Sequence, residues 1–558
     1  MEHVRNKLAE LVAQAANVEV GSVKLEHPEA EEHGDYSTNI ALVMKGGKRL
    51  AEEIAGKIKP DDLIERVEVA GSGFINIFLK SNVLVNSLIQ IASNAEKFGS
   101  SEIGKGKTVI IDYSAPNIAK RFSIGHLRST IIGQTLYNLY SFLGYKVVGD
   151  NHLGDWGTQF GKLIYMIKKY GLEEYNVDKL EEIYVEFHKL ASDPKLVEEM
   201  ESGARNWFKR LEEGDKEARG IWQKCVDVSM AEFNRIYDLL RVKIDFAFGE
   251  SFYEAEMQKM VKEVESGELK GFEHSEGAWV MHLHDMRAPL MFLKSDGATT
   301  YATRDLATIR FRMARQDWQP VVKMIYEVGV EQTLHFQQVF AAARGLGFVG
   351  DGVELYHTRH GLYLGTDGKK FKTRKGDTVK LEEVLSEAIE RAIQLGSSGE
   401  ETAKAVGIGA IKYFDLMHNI QSDIVFDWEK VMNMEGNSGP YLQYTYARTQ
   451  SVIAKSKSLG ECKSVSEYQS NKEEMAILRW IYRFPEVVEE AAFRHAPNLV
   501  CNFLYELAAR FNTFYNQHSI LNADNKLQVN YRLQITSAVG QVLKNGLELL
   551  GIEALERM

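Results

Sequence analysis

Strand-like and helix-like patterns of apolar residues alternate in the middle of the chain. Short runs rich in β-branched residues are each followed by a longer stretch with helical periodicity. The strand-like runs are residues 107–113, 145–149, 321–328 and 353–356, and the helical stretches are one that ends near residue 143, residues 304–315 and residues 331–344. Because this alternation is typical of a parallel sheet covered by helices, it predicts a nucleotide-binding α/β sheet with ligand sites at the carboxyl ends of its strands.

The regions around this sheet have other patterns, which predicts several domains. Residues from about 160 to 284 are charged and mostly helical in pattern, so we expect an insertion between two halves of one sheet. Helical periodicity dominates after residue 381, whereas the first hundred residues combine an early helix with short strands around residues 67–79. The later helices are predicted at residues 382–395, 473–493 and 499–517. The predicted domains are residues 1–104, 105–380 and 381–558.

Composition narrows the class of protein. A chain of 558 residues with 44% hydrophobic and 26% charged residues is large enough for three or four domains. No apolar run approaches the roughly 20 residues of a membrane helix, so we expect no membrane partner and a cytoplasmic location. The net charge of −11 argues against a protein that coats nucleic acid through bulk electrostatics. Three widely separated cysteines, Cys225, Cys462 and Cys501, suggest reduced core residues and no protein-bound zinc.

One turn carries the clearest chemistry. After the strand at residues 107–113, Pro116 breaks the pattern, and a helix is expected to begin next to Gly125 and His126. Glycine lets a ligand approach the backbone closely, and a helix amino terminus favours anions such as the phosphates of ATP. The alternative is an ordinary strand, turn and helix with a surface histidine.

A basic segment, residues 369–380, supplies a second candidate site. Its cations are Lys369, Lys370, Lys372, Arg374, Lys375 and Lys380. Glycines on both sides predict a mobile loop, and mobile cationic loops suit a phosphoryl group whose charge changes during reaction. A solvated charged surface remains the alternative for this segment.

Motifs along nearly the whole chain resemble one enzyme family. Ser-Ile-Gly-His at residues 123–126 resembles the HIGH motif of class I aminoacyl-tRNA synthetases, and residues 114–120 resemble the form found in arginyl-tRNA synthetases. Residues 370–374 resemble the KMSKS motif in a degenerate form. Further similar segments are residues 34–39, 152–159, 301–305, 331–335 and 435–448. Each short motif alone is weak evidence, but the occurrence of all of them in the same order as in the family is strong evidence.

The resemblance implies a fold and a reaction. The fold is multidomain α/β: a split Rossmann-type catalytic sheet with a helix-rich insertion, a small α+β amino-terminal domain that touches the tRNA elbow, and an all-α carboxyl-terminal domain. Its last part, about residues 435–558, would bind the anticodon. The implied reaction joins L-arginine to arginine tRNA through arginyl-adenylate and releases AMP and pyrophosphate. ATP is a substrate that brings Mg²⁺, and a monomer is expected.

The resemblance also assigns residues to roles. The catalytic set is Lys120, Ser123, His126, Lys370 and Arg374. The ATP set is Ser123, Gly125, His126, His360, Gly361 and Lys370. The arginine set is Asp112, Asn117, Tyr301, Asp305 and Gln332, with Asp305 expected to hold the guanidinium and Asn117 to lie nearer the α-amino end. The tRNA set is Tyr36, Asn39, Tyr441 and Arg448.

Two departures from the family pattern are visible. Ser123 stands in place of the first HIGH histidine, so a hydroxyl replaces an imidazole that can carry charge. Thr373 stands where KMSKS has its second lysine, and Lys120 just upstream of HIGH is expected to compensate.

Three alternatives stay open. Taken alone, each of Asp112 and Asp305 is also explained as a helix cap or as an acidic surface residue. A tRNA-binding relative without catalysis would explain Ser123, although it has no reason to keep a complete arginine pocket. A synthetase for another amino acid would fit the sheet, although acidic residues suit a cationic substrate.

Overall fold

The amino-terminal part of the chain forms a small α+β unit. The structure is a computed structural model that describes residues 4–284, 286–365, 367–369, 371, 379–456 and 468–558. Its first elements are α1 (Val4–Ala16), β1 (Tyr36–Thr38), α2 (Ile40–Val43), α3 (Gly47–Lys57), β2 (Ile64–Ala70), β3 (Phe74–Leu79) and α4 (Ser81–Asn94). Strand β3 lies between β1 and β2 and is antiparallel to both. The predicted early helix and the strands around residues 67–79 are therefore present.

The central part contains the predicted alternation of strands and helices. Its elements are β4 (Thr108–Asp112), α5 (Ile124–Phe142), β5 (Lys146–Asp150), α6 (Thr158–Tyr170), α7 (Val177–Ala191), α8 (Val197–Glu212), α9 (Lys216–Leu240), α10 (Glu254–Glu265), β6 (Glu273–Ser275), β7 (Ala278–Met281), β8 (Leu290–Leu293), α11 (Tyr301–Ala314), β9 (Val321–Tyr326), α12 (Thr333–Gly345), β10 (Glu354–His357) and β11 (Tyr363–Leu364).

Four of these strands form the parallel sheet on which the site is built. Their order is β10-β9-β4-β5, and every neighbouring pair is parallel. All five residues of β4 are buried, because helices cover both faces of the sheet. The carboxyl ends of β4, β5 and β9 bring Asp112, Asp150 and Tyr326 to one edge. The predicted fold class is confirmed.

The insertion differs from its prediction at one end. Helices α6 to α10 are the expected helix-rich region, but β6, β7 and β8 follow them as a three-stranded antiparallel sheet. These strands have three or four residues each, and β6 is exposed throughout. They are therefore too short to show the alternation of apolar and polar residues by which a strand is predicted. Helix α11 begins at Tyr301, three residues before the predicted start at 304, because the Thr300 hydroxyl caps it.

The carboxyl-terminal part is helical, as predicted. Its elements are α13 (Leu381–Gln394), α14 (Glu400–Leu416), β12 (Ile424–Val425), α15 (Trp428–Val431), α16 (Gly439–Ser456), α17 (Lys472–Ile481), α18 (Phe484–Phe493), α19 (Asn498–Gln517) and α20 (Lys526–Leu549). The helix expected over residues 473–493 is two helices, and Pro485 occupies the first turn of the second. Strand β12 pairs with β11, which joins this part to the central one.

Two cysteines lie in the core, as predicted. Cys225 and Cys501 are fully buried, and burial raises the pKa of the Cys225 thiol to about 12. Cys462 falls outside the described residues. Within the described ranges, no helix has both the length and the apolar character needed to cross a membrane.

Candidate functional site

The loop between β4 and α5 has an unusual backbone. Ser114, Ala115 and Ala119 have φ values of 75°, 47° and 63°, which non-glycine residues rarely adopt. Neighbouring segments hold the loop in this form. The Ala115 amide donates to Asn151 Oδ1 at 3.0 Å, and the Ala119 amide donates to Ser229 Oγ at 3.0 Å. The loop is therefore fixed by contacts from outside itself.

The predicted phosphate-binding turn lies at the start of α5. The Ser123 amide donates to His126 Nδ1 at 3.0 Å, so Nε2 is the ring nitrogen that carries the proton in the neutral imidazole. A Cβ added at Gly125 would meet only Ser123 Oγ, at 3.5 Å. This leaves room for a ligand beside the helix amino terminus, and the predicted binding of phosphate there stays a prediction.

A cavity of about 500 Å³ opens at the carboxyl ends of β4 and β9. It brings together all five residues predicted to hold arginine: Asp112, Asn117, Tyr301, Asp305 and Gln332. Polar residues that the sequence analysis did not assign also line it: His152, Glu250, Arg304, Tyr326, Glu331 and His335. Most of these fall in the motif segments quoted above, so proximity to a motif was an available signal. Glu250 had no such signal.

The floor of the cavity contains a buried charge cluster. One guanidinium nitrogen of Arg312 contacts Asp112 Oδ2 at 2.6 Å and Asp150 Oδ2 at 2.8 Å. Burial raises the pKa of the Asp112 carboxyl, and Arg312 opposes that shift. Two carboxylates thus share one cation, and Asp112 faces the cavity while it is already paired inside the protein.

The wall of the cavity carries further ion pairs. Asp305 Oδ2 contacts His335 Nε2 at 2.5 Å, and the Asp305 side chain keeps 18% of its surface exposed. Glu250 contacts Arg304 at 3.5 Å, and burial raises the pKa of the Glu250 carboxyl. Tyr301 is 70% exposed at the start of α11. Asp305 is therefore accessible to a ligand while His335 orients it.

Two residues predicted to bind ATP have internal partners. His360 Nδ1 contacts Glu327 Oε1 at 2.7 Å, and that carboxylate is almost completely buried. A Cβ at Gly361 would lie 2.5 Å from the backbone of Ser422, so glycine is required there for two chain segments to approach. Gly361 thus has a packing role in the structure.

The remaining residues of the predicted catalytic set are only partly described. Lys120 Nζ lies 5.8 Å from the ring centre of Tyr184 in α7. Lys370 and Arg374 lie outside the described residues, as does Thr373. The prediction for the basic segment therefore stays a prediction.

One predicted tRNA contact needs correction. Tyr36 is completely buried, and its hydroxyl donates to Glu486 Oε1 at 2.5 Å in α18. His27 Nε2 contacts the other oxygen of Glu486 at 3.0 Å. Tyr36 consequently joins the amino-terminal part to the helical part and presents no ring to a nucleic acid. Asn39, by contrast, is exposed.

Arg448 lies in an aromatic surface cluster. Its guanidinium is 4.9 Å from the ring centres of both Tyr444 and Tyr515, which are 43% and 37% exposed. Arg448 donates to Asn512 Oδ1 at 2.5 Å, and the amide nitrogen of Asn512 donates to the Tyr441 hydroxyl at 2.9 Å. A cation between exposed rings is suited to stacking on unpaired bases.

Comparison with known proteins gives full-length similarities. Residues 87–428 match the class I tRNA synthetase (R) catalytic domain, residues 442–558 the DALR anticodon binding domain, and residues 2–79 the arginyl tRNA synthetase N terminal domain. Arginine–tRNA ligases of Clostridium botulinum strain Alaska E43 and Clostridium beijerinckii are 39% and 38% identical to the chain. Both alignments cover 99% of this chain and 100% of the relative. The arginyl-tRNA synthetase structure of Thermus thermophilus is 23% identical with a TM-score of 0.84, over 99% of this chain and 100% of that one, which supports the fold.

Proposed function

The chain belongs to the arginyl-tRNA synthetase family, and from this premise we propose that it attaches L-arginine to arginine tRNA in an ATP-dependent reaction. The observation that carries the proposal is the charge of the cavity. Among the described residues that line it are four carboxylates, those of Asp112, Glu250, Asp305 and Glu331, and one guanidinium, that of Arg304. A substrate with two cationic groups, a guanidinium and an α-ammonium, complements this excess of negative charge.

Arginine is oriented by the two ends of the cavity in this proposal. The guanidinium lies against Asp305, whose carboxylate accepts its planar fork, with Tyr301 and Gln332 beside it. The α-amino group lies toward Asn117. Asp112 acts as a fixed negative charge on the floor, directly or through water, because Arg312 already occupies one of its oxygens.

The reaction proceeds in two steps at one site. The arginine carboxylate attacks the α-phosphorus of ATP, the bond to pyrophosphate breaks, and arginyl-adenylate forms. The terminal ribose hydroxyl of the tRNA then attacks the activated carbonyl, and AMP leaves. The protein aligns the reactants and stabilises charge on the phosphate oxygens with Lys120, His126, Lys370, Arg374 and the amino terminus of α5. Ser123 and Gly125 lie at that terminus, and His360 belongs to the same proposed nucleotide site.

Magnesium accompanies ATP in this proposal. The described part of the chain contains no cluster of three or more histidine, cysteine, aspartate or glutamate side chains placed to hold a metal.

The other two domains are proposed to hold the tRNA. Residues 1–104 would contact its elbow, with Asn39 on the surface, and about residues 435–558 would hold the anticodon loop. Arg448, together with Tyr441 and the neighbouring rings, supports this placement. All three domains belong to one chain, and we propose that it works as a monomer.

Exchange of labelled pyrophosphate into ATP tests the proposal. Each amino acid is supplied in turn, with and without arginine tRNA. We expect exchange with arginine alone among the amino acids, and transfer of arginine to arginine tRNA in a charging assay. Activation of another amino acid, or tRNA binding without any exchange or charging, would overturn it.

A further inference from the structure

The end of α20 is attached to α14 and to the central part of the protein by several side chains. We call residues 549–553 the C-terminal clasp. Asn138 of α5 donates to the Leu549 carbonyl at 3.1 Å, and Arg241, just after α9, pairs with Glu553 at 3.2 Å. Lys412 of α14 donates to the Gly551 carbonyl at 2.6 Å. The clasp therefore touches three different elements.

Lys412 joins the clasp to α9. Its ammonium also donates to the carbonyl of Leu240, the last residue of α9, at 2.7 Å, and the side chain is almost completely buried. Both acceptors lie at helix carboxyl termini, where partial negative charge favours a cation. A Cβ at Gly551 would lie 2.7 Å from Lys412 Nζ, so glycine at that position permits the contact. Lys412 thus connects the ends of two helices from different domains.

A second chain of hydrogen bonds reaches the same turn. Asn138 Oδ1 accepts from Gln134 Nε2 at 2.7 Å, and Gln134 Oε1 accepts from the Lys243 amide at 2.6 Å. Both routes therefore lead from the clasp to residues 240–243, directly after α9.

Helix α9 in turn holds the strained loop after β4. The Tyr237 hydroxyl contacts Ser114 Oγ at 2.8 Å, and Ser229 Oγ accepts the Ala119 amide at 3.0 Å. Ser114 and Ala119 are two of the three loop residues with positive φ. Asn117 and Lys120 lie between and next to these anchored residues. The position of α9 therefore determines how this loop is presented.

We propose that Lys412 is a positioning residue for adenylate formation: it fixes the end of α9 to the clasp, and α9 fixes the loop that presents Asn117 and Lys120. The inference rests on the proposed function for the reaction it serves. It makes the helical domain part of the activation machinery in addition to its proposed role in tRNA binding.

Lys412→Met in the full chain is the first test, because methionine keeps length and loses the donor. A displacement of about 1 Å in a catalytic group costs up to about 100-fold, so we expect the turnover number for pyrophosphate exchange to fall by about 10- to 100-fold at saturating tRNA. The KM for arginine should change less than the turnover number, because Asn117 lies on the displaced loop but Asp305, the proposed partner of the guanidinium, stands on another element. An unchanged turnover number would overturn the proposal.

Asn545→Ala is the matched control. Asn545 of α20 is likewise a buried side chain with two hydrogen bonds that cross to the carbonyls of Ala95 and Phe98 in the amino-terminal domain at 3.0 Å each, and neither of these bonds reaches the clasp or α9. This variant should lower the melting temperature and leave the turnover number within about twofold. An equal loss of turnover in both variants would indicate general loosening and overturn the proposal.

A double-mutant cycle tests the route through α9. Ser229 and Leu240 are eleven positions apart on one helix, hence about 16 Å, a distance at which independent substitutions have additive effects. If Lys412 acts through α9, Ser229→Ala and Lys412→Met together should reduce turnover by less than the product of the single losses. Strictly multiplicative losses would overturn that route.

Hydrogen exchange separates this inference from the proposed function. Amides in residues 113–123 should exchange faster in Lys412→Met than in the parent or in Asn545→Ala, whatever the substrate is. Unchanged protection there overturns the positioning role, whereas failure of the parent protein to activate arginine overturns only the proposed reaction. Should Lys412→Met not fold, Asn138→Ala removes the second route and is measured in the same way.

Discussion

Asp305→Asn tests the arginine site most directly. The substitution keeps the size of the side chain and one oxygen acceptor for His335, but it removes the negative charge that faces the cavity. The guanidinium of arginine would then meet a neutral amide. The binding of ATP, which is proposed to lie against the start of α5, should not depend on this charge.

The size of the effect follows from how far Asp305 is buried. Removing one partner of a buried, hydrogen-bonded charge pair costs about 2–5 kcal/mol. The Asp305 side chain keeps 18% of its surface exposed, so water screens it in part, and we expect about 2–3 kcal/mol. That is a rise of about 30- to 150-fold in the dissociation constant for arginine.

Calorimetric titration with arginine measures this constant, and pyrophosphate exchange gives the KM values for arginine and ATP. Asp317→Asn is the control, because Asp317 pairs with Arg315 on the surface, 61% exposed and away from the cavity. It should leave both KM values unchanged. Unaltered arginine affinity in a folded Asp305→Asn protein would show that Asp305 merely caps a helix and that the pocket is misplaced.

Four further outcomes are expected. Arg312→Met leaves two buried carboxylates unpaired and should lower the free energy of unfolding in urea by about 3–5 kcal/mol; a loss under 1 kcal/mol would contradict the buried cluster. Lys120→Ala should lower the rate of adenylate formation with arginine and tRNA affinities intact, and a parental rate would remove its compensating role. Arg448→Ala should raise the KM for tRNA about 5- to 150-fold and spare ATP, as stacking on one base is worth about 1–3 kcal/mol. Burial lowers the pKa of Lys412 to about 7. Between pH 7 and the ordinary lysine pKa, the unfolded chain therefore binds more protons than the folded protein. The difference in unfolding free energy between the parent and Lys412→Met should therefore increase with pH in that window, by up to about 1.4 kcal/mol per pH unit. A difference that does not change with pH would contradict the lowered pKa of Lys412.

The sheet and its cavity could be predicted from the sequence because they depend on local periods and on one topological rule. Runs such as residues 107–113 have a strong strand pattern, and parallel strands bring their carboxyl ends to one edge. Motif resemblance then selected Asp112, Asn117 and Asp305, which the structure places around one cavity.

The features that the sequence did not predict depend on contacts between residues far apart in the sequence, or lie in segments too short to show a pattern. Tyr36 is buried because Glu486, 450 positions later, accepts its hydroxyl, and no local pattern encodes that partner. Glu250 lies in a short 3₁₀ turn within the insertion, without a motif around it. The strands β6 to β8 are too short to show a period.

The contact of Tyr36 and His27 with Glu486 has a consequence for the tRNA as a whole. It fastens the amino-terminal domain directly to the helical domain, so the surfaces proposed for the elbow and the anticodon keep a set spacing. Two sites at a set spacing reinforce each other only for a ligand of matching span. The pair of domains would therefore favour a tRNA whose elbow and anticodon lie at the matching distance, in addition to contacting its bases.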